Sequence, residues 1–171
     1  MNRRPFLESG SALMGVIFLQ ACGFKLRGTQ TFAFDTIAVE ASPAGAVTAE
    51  LRKALGSQLF VNTTTRQAGT PSVAQVTLDI LQELRERAVA GVNAAGQVRE
   101  LQLRIRVKFR LRNARGKDLI EEAEILQQRD ISFSESAVLA KEVEEALLYK
   151  NMQADIVQQL LRRLAAVKSI V

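Results

Sequence analysis

The stretch Glu100-Leu101-Gln102-Leu103-Arg104-Ile105-Arg106-Val107-Lys108-Phe109-Arg110-Leu111-Arg112 decides the fold. Leu101, Leu103, Ile105, Val107, Phe109 and Leu111 occupy one parity, and Gln102, Arg104, Arg106, Lys108, Arg110 and Arg112 occupy the other. Period-two alternation sustained this long predicts a strand with one face buried and one wetted, as antiparallel pairing produces. Asn113-Ala114-Arg115-Gly116-Lys117 follows as a hairpin loop, and Leu119 to Gln128 as the return strand. Upstream, Gly91 to Gly96 is a turn region. Before it, Val76, Leu78 and Ile80 alternate with Thr77 and Asp79 in a strand that runs on through Leu84.

The flanks supply the remaining elements. Phe24-Lys25-Leu26-Arg27, which alternates apolar and basic, and the β-branched run Ile37-Ala38-Val39 read as a first strand in two pieces, Ser42-Pro43 marks a turn, and Leu51, Ala54, Leu55 and Leu59 recur at helical spacing within Val47 to Leu59. Asn62 to Ser72 is polar, carries Gly69 and Pro71, and reads as a loop. At the other end, Ser132-Phe133-Ser134-Glu135 matches a capping box. It opens a long amphipathic helix to about Lys168, whose apolar stripe includes Leu139, Val143, Leu147, Ile156, Leu160 and Leu164. The expected order is β-α-β-β-β-α. That is an α+β domain with two helices on one face of a four-stranded, mainly antiparallel or mixed sheet.

Composition narrows the chemistry. The 171 residues hold 23 Lys and Arg against 18 Asp and Glu, one Cys and no His. Without His there is no Ser-His-Asp or Cys-His catalysis and no His-ligated zinc. A single Cys forms no intrachain disulfide and no multi-cysteine metal cluster. No catalytic constellation is visible, and the reading is of a protein that is not an enzyme. The net charge of +5 points to an anionic partner without naming it.

The N-terminus points to a compartment. Arg3 and Arg4 form a positive start, Gly10 to Leu19 a short apolar run, and Leu19-Gln20-Ala21-Cys22 a lipobox-like end. The run is shorter than the roughly 20 residues that span a bilayer, and has the length of a signal-peptide core. The expectation is a lipoprotein signal over residues 1–21, acylation of Cys22, and a single domain over residues 22–171. Each buried methylene of an acyl chain contributes ~0.8 kcal/mol, so several chains anchor the protein without a spanning helix. Processing removes Arg3, Arg4 and Glu8 and lowers the net charge by one. Arg3-Arg4-Pro5-Phe6-Leu7 also has the form of a twin-arginine signal, which leaves the export route open.

Two basic features are candidate ligand contacts, each with a plainer alternative. The first is the wetted face Arg104, Arg106, Lys108, Arg110 and Arg112, which forms an anion-binding stripe. In an in-phase hairpin, Glu122 and Glu124 share that face and pair with some of these cations. Two glutamates do not neutralise five cations, so positive potential remains. The second is Lys141, a cation in the first turns of a helix, where the dipole disfavours it. Its plainer role is pairing with Glu144 or Glu145.

Several segments carry a family likeness. Ala21-Cys22-Gly23-Phe24-Lys25-Leu26-Arg27-Gly28 resembles the mature start of the lipopolysaccharide-assembly lipoproteins of the LptE family. Gly96-Gln97-Val98-Arg99-Glu100-Leu101-Gln102 resembles that family's entry into its long central strand. Leu139-Ala140-Lys141 and Gln159-Leu160-Leu161-Arg162-Arg163-Leu164 resemble its last helix. The resemblance implies two helices on a four-stranded sheet and a non-enzymatic protein without cofactor or metal. It implies a plug inside the outer-membrane barrel LptD that binds lipopolysaccharide and assists its assembly at the cell surface. Gly23 after Cys22 implies sorting to the outer membrane, with acylated Cys22 in its lipid. In the family, basic residues near the turn before the central strand and at the start of the last helix contact ligand. Lys141 matches the second by position. The turn Asn93-Ala94-Ala95-Gly96 has no cation, and Arg99, Arg85 and Arg87 are the nearest alternatives.

Two other readings stay beside this one. A periplasmic lipoprotein binding some other anionic glycan or lipid would show the same features. A nucleic-acid-binding sheet is disfavoured, because the basic face has no aromatic side chain for base stacking and the chain opens with an export signal.

Overall fold

The computed structural model describes residues 30–41, 43–56, 59–62, 74–134 and 137–170. The elements are β1 (Thr36–Ala41), α1 (Ala46–Gly56), β2 (Phe60–Asn62), β3 (Val76–Val92), β4 (Val98–Asn113), β5 (Asp118–Ser132) and α2 (Val138–Ala165). The four expected strands and both helices appear in the expected β-α-β-β-β-α order. The three-residue β2 adds a short edge beside β1. Sheet order is β2-β1-β3-β4-β5: β1 runs parallel to β2 and β3, and the β3-β4-β5 meander is antiparallel. The expected signal segment, Cys22 and the strand piece Phe24-Lys25-Leu26-Arg27 lie outside the described residues.

β4 behaves as its alternation requires. Leu101, Leu103, Ile105, Val107, Phe109 and Leu111 are all buried, beneath helices that pack on that face. α1 contributes Val47, Leu51 and Leu55 to this core. α2 contributes Tyr149, Met152, Ile156, Leu160 and Leu164. The helices touch one another, and burial on the scale of ~1.5–3 kcal/mol per large apolar side chain holds the two layers together.

β3 departs from simple alternation. Ile80 pairs with Phe109, but the next pair is Gln82 with Lys108, so Leu81 is an extra residue. A one-residue bulge reverses which side every later residue faces. Leu84, expected to continue the apolar set of Val76, Leu78 and Ile80, pairs with Arg106 on the wetted face instead. Glu83, Arg85 and Arg87 pair with Val107, Ile105 and Leu103 and therefore face the helices.

Glu83 uses that position to cap α1, which has no acidic residue in its first turn. Its carboxylate accepts from the Val47 amide (2.8 Å), the Thr48 amide (3.1 Å) and the Thr48 hydroxyl (2.9 Å). An anion here satisfies free amides and suits the helix dipole. A Cβ on Gly45 would collide with this carboxylate, so the approach requires glycine.

The start of α2 corrects the capping-box expectation. Ser132 still pairs with Glu100 and ends β5, while the helix begins at Val138 behind Ala137, which makes no side-chain cap. Continued ladder pairing holds Ser132 extended and takes it out of reach of a cap. Glu135 lies outside the described residues.

On the opposite face, Asp79 anchors two of the β4 cations. It is 6% exposed and accepts from Arg110 Nε (2.8 Å), Arg112 Nε (2.7 Å) and Arg112 Nη2 (2.8 Å). Burial pushes its carboxyl up, but the bonds and charges of Arg112 and Arg110 outweigh this and hold it below the usual carboxylate range.

Two outcomes follow from these anchors. Glu83→Ala is expected to lower unfolding free energy by about 1.5–3 kcal/mol, read by urea denaturation, because charged hydrogen bonds to α1 are lost. Gly45→Ala is expected to destabilise through the same carboxylate. For Asp79 the folded pKa lies below the unfolded one. Its stabilisation is therefore present above the unfolded value of about 3.9 and is lost as pH falls through the folded value. Acid unfolding of Asp79→Asn, compared with wild type, should lack that part of the pH slope.

Candidate functional site

The reversed phase of β3 builds a cleft where the second half of β3, the start of β4, the end of β5 and the first turns of α2 meet. Its volume is about 440 Å³. Leu101, Ile131, Phe133, Val138 and Ala146 line it with apolar surface, and Arg85, Arg87, Lys141, Glu142 and Glu145 bring charge. Three cations from two elements thus converge on one concavity with an apolar lining.

Each cation is held in place. The Arg85 guanidinium lies 3.5 Å from the centroid of the Tyr149 ring, and the Tyr149 hydroxyl donates to the Glu86 carbonyl at 2.7 Å. The Arg87 guanidinium lies 5.9 Å from the Phe133 ring, within cation–π range. Glu145 receives both arginines, Arg85 at 3.9 Å and Arg87 at 3.3 Å. Lys141 Nζ donates to Ser132 Oγ (2.9 Å) and Glu144 Oε2 (2.8 Å). The Phe133 amide donates to the Arg99 carbonyl at 2.8 Å and ties the cleft wall to β4.

Of the basic residues singled out in the sequence, Lys141 lines this cleft and Arg99 does not. The Arg99 side chain is exposed and donates to Gln97 Oε1 at 3.2 Å. The wetted-face cations lie on the other side of the sheet, and each has a partner. Arg104 donates through Nε to Gln102 (2.6 Å), Arg106 pairs with Glu124 (3.6 Å), and Lys108 pairs with Glu122 (3.8 Å). Arg110 and Arg112 converge on Asp79, and Arg112 also reaches Glu40 at 4.0 Å. Cross-strand pairing with Glu122 and Glu124 therefore occurs as the hairpin phase requires. Asp79 is the partner that sequence pattern missed, because its strand neighbour was unknown. Leu84 and Leu126 flank Arg106 across the strands, so the face is mixed rather than purely cationic.

The apolar stripe of α2 divides. Ile156, Leu160 and Leu164 are buried, but Leu139, Val143 and Leu147 are 79%, 72% and 58% exposed. At about 100° per residue, Leu139, Val143 and Leu147 lie roughly 100°, 140° and 180° around the helix from Ile156, so the two runs do not share a face. Tyr149 and Glu145 hold the inward position instead. Among the described residues no group of three or more acidic, Cys or His side chains is placed to hold a metal, and no helix is long and apolar enough to cross a membrane.

A comparison with protein families matches residues 34–164 to the family described as LptE, lipopolysaccharide-assembly. No curated protein sequence matches the chain significantly. Among solved structures, the chain is similar to an uncharacterized lipoprotein B from Nitrosomonas europaea, with 31% identity and a TM-score of 0.68 over 84% of this chain and 91% of that one. It shares the fold of the rare lipoprotein B from Shewanella oneidensis, with 22% identity and a TM-score of 0.60 over 77% of this chain and 94% of that one. It also shares the fold of a minor lipoprotein from Acinetobacter baumannii, with 17% identity and a TM-score of 0.59 over 80% of this chain and 94% of that one. The family match takes in β1, both helices and the whole meander that builds the cleft, and the chain belongs to the LptE lipopolysaccharide-assembly family.

Proposed function

We propose that this chain is a non-enzymatic outer-membrane lipoprotein, anchored through acylated Cys22, that plugs the LptD barrel and binds lipopolysaccharide. The observation that carries the reading is the convergence of Arg85, Arg87 and Lys141 on an apolar-lined cleft in a member of this family. A phosphorylated glycolipid presents anionic groups beside hydrocarbon, and the cleft offers both complements. Guanidinium forks match phosphate oxygens in a planar, two-point geometry, and Lys141 adds a point charge.

The wetted sheet face suits the plug role. A barrel lumen is polar, so a plug keeps a charged sheet face there as it would in water. Arg104, Arg106, Lys108 and Arg110 are a second ligand surface in this reading, on the open sheet face away from the cleft. Arg99, at the mouth of β4, lies beside the cleft wall through its carbonyl bond to Phe133.

Affinity purification of the tagged protein from outer membranes in mild detergent is expected to recover an LptD barrel. Recovery of the protein without a barrel would overturn the plug role. Lys141→Glu is expected to weaken lipopolysaccharide binding about tenfold, the scale of one charge-assisted contact. Its melting temperature should change little, since the exposed Lys141–Glu144 pair contributes only ~0.2–1 kcal/mol. Unchanged binding would remove Lys141 from the site. Mass spectrometry of the mature N-terminus is expected to find an acylated Cys22.

A further inference from the structure

We infer that Glu145 is a built-in competitor for the anion site: its carboxylate stands where a ligand phosphate binds between Arg85 and Arg87, and the ligand enters by displacing it. This rests on the reading of the cleft as a site for phosphorylated glycolipid. Glu145 spreads its two oxygens over two guanidiniums, Oε1 toward Arg85 and Oε2 toward Arg87. Its side chain is only 17% exposed, whereas those of Arg85 and Arg87 are 56% and 49% exposed. The arginine side chains are therefore open, and the more buried carboxylate that bridges them is what an incoming phosphate must replace.

The arginines do not depend on Glu145 for their positions. Tyr149, fixed by its own bond to the Glu86 carbonyl, supports the Arg85 guanidinium, and Phe133 supports that of Arg87. They stay in place when the carboxylate leaves. A phosphomonoester carries about −1.5 to −2 charges and three acceptor oxygens, against one charge and two oxygens for the carboxylate. Glu145 thus yields to phosphate and resists weaker monoanions, which makes it a specificity-determining residue.

The test compares wild type with Glu145→Gln, which keeps the side-chain shape and removes the charge. Binding is measured to phosphorylated lipid A and to dephosphorylated lipid A, with inorganic phosphate as a competitor. The variant is expected to bind the phosphorylated lipid about three- to tenfold more tightly, with little change for the dephosphorylated lipid. Glu145→Ala, measured in parallel with melting curves, should gain as well, so a folding defect in one variant does not decide the outcome. In an Arg87→Gln background the gain should vanish. Unchanged or weakened binding by the folded variants would mean that Glu145 only orients the arginines, and overturns the inference alone. Full displacement of the lipid by inorganic phosphate overturns the assignment to a lipid headgroup. Wild-type protein that binds neither lipid overturns the cleft reading, and this inference falls with it.

Discussion

One extra residue in β3 organises the functional half of the molecule. Leu81 sits unpaired between the Ile80–Phe109 and Gln82–Lys108 pairs, and the residues from Gln82 to Val89 change face, until a second irregularity before Gly91. Before the bulge β3 delivers Val76, Leu78 and Ile80 to the core. After it, the same side receives Glu83, Arg85 and Arg87. The first of these caps α1, and the other two meet Glu145 of α2. β3 therefore has an apolar half that holds the helices and a charged half that brings Arg85 and Arg87 to the cleft. Without the phase change Leu84 would face the helices and the arginines would lie among the wetted-face cations.

Charge in this protein is managed by local pairing. The β4 cations are distributed over Asp79, Glu122, Glu124 and Glu40, and the cleft cations over Glu144, Glu145 and the Tyr149 and Phe133 rings. The pairs differ in depth. Asp79 is buried and takes three hydrogen bonds from two arginines, so its ion pairs are structural. The two Glu145 pairs are longer, 3.9 and 3.3 Å, and their arginines are about half exposed, so water screens them more. Net positive charge thus becomes usable only where the internal partners are weak.

The exposed Leu139, Val143 and Leu147 fit the same division of the molecule. The C-terminal half of α2 packs over β4 and the meander, and its apolar residues are spent on the core. The N-terminal half stands over the cleft and lines it with Val138, Lys141, Glu142, Glu145 and Ala146. Leu139, Val143 and Leu147 are not among that lining and stay exposed.

The alternation of residues 100–112, the turn residues around it and the helical spacing of Leu51, Leu55, Ile156 and Leu160 were enough to read the element order, the helix-covered face and the pairing of Glu122 and Glu124 with β4. Those features depend on near neighbours and on a period, and both are written in the chain. The bulge at Leu81, the capping of α1 by Glu83, the gathering of Arg110 and Arg112 on Asp79, and the start of α2 at Val138 rather than beside Ser132 were not legible. Each depends on which residues oppose one another across strands, and one unpaired residue changes that for the whole remainder of a strand. Sequence alone determined which segments are strands and helices, because local periodicity sets them. Tertiary structure decided which cations share a cleft, because the phase of β3 against β4 exists only once the two strands have paired.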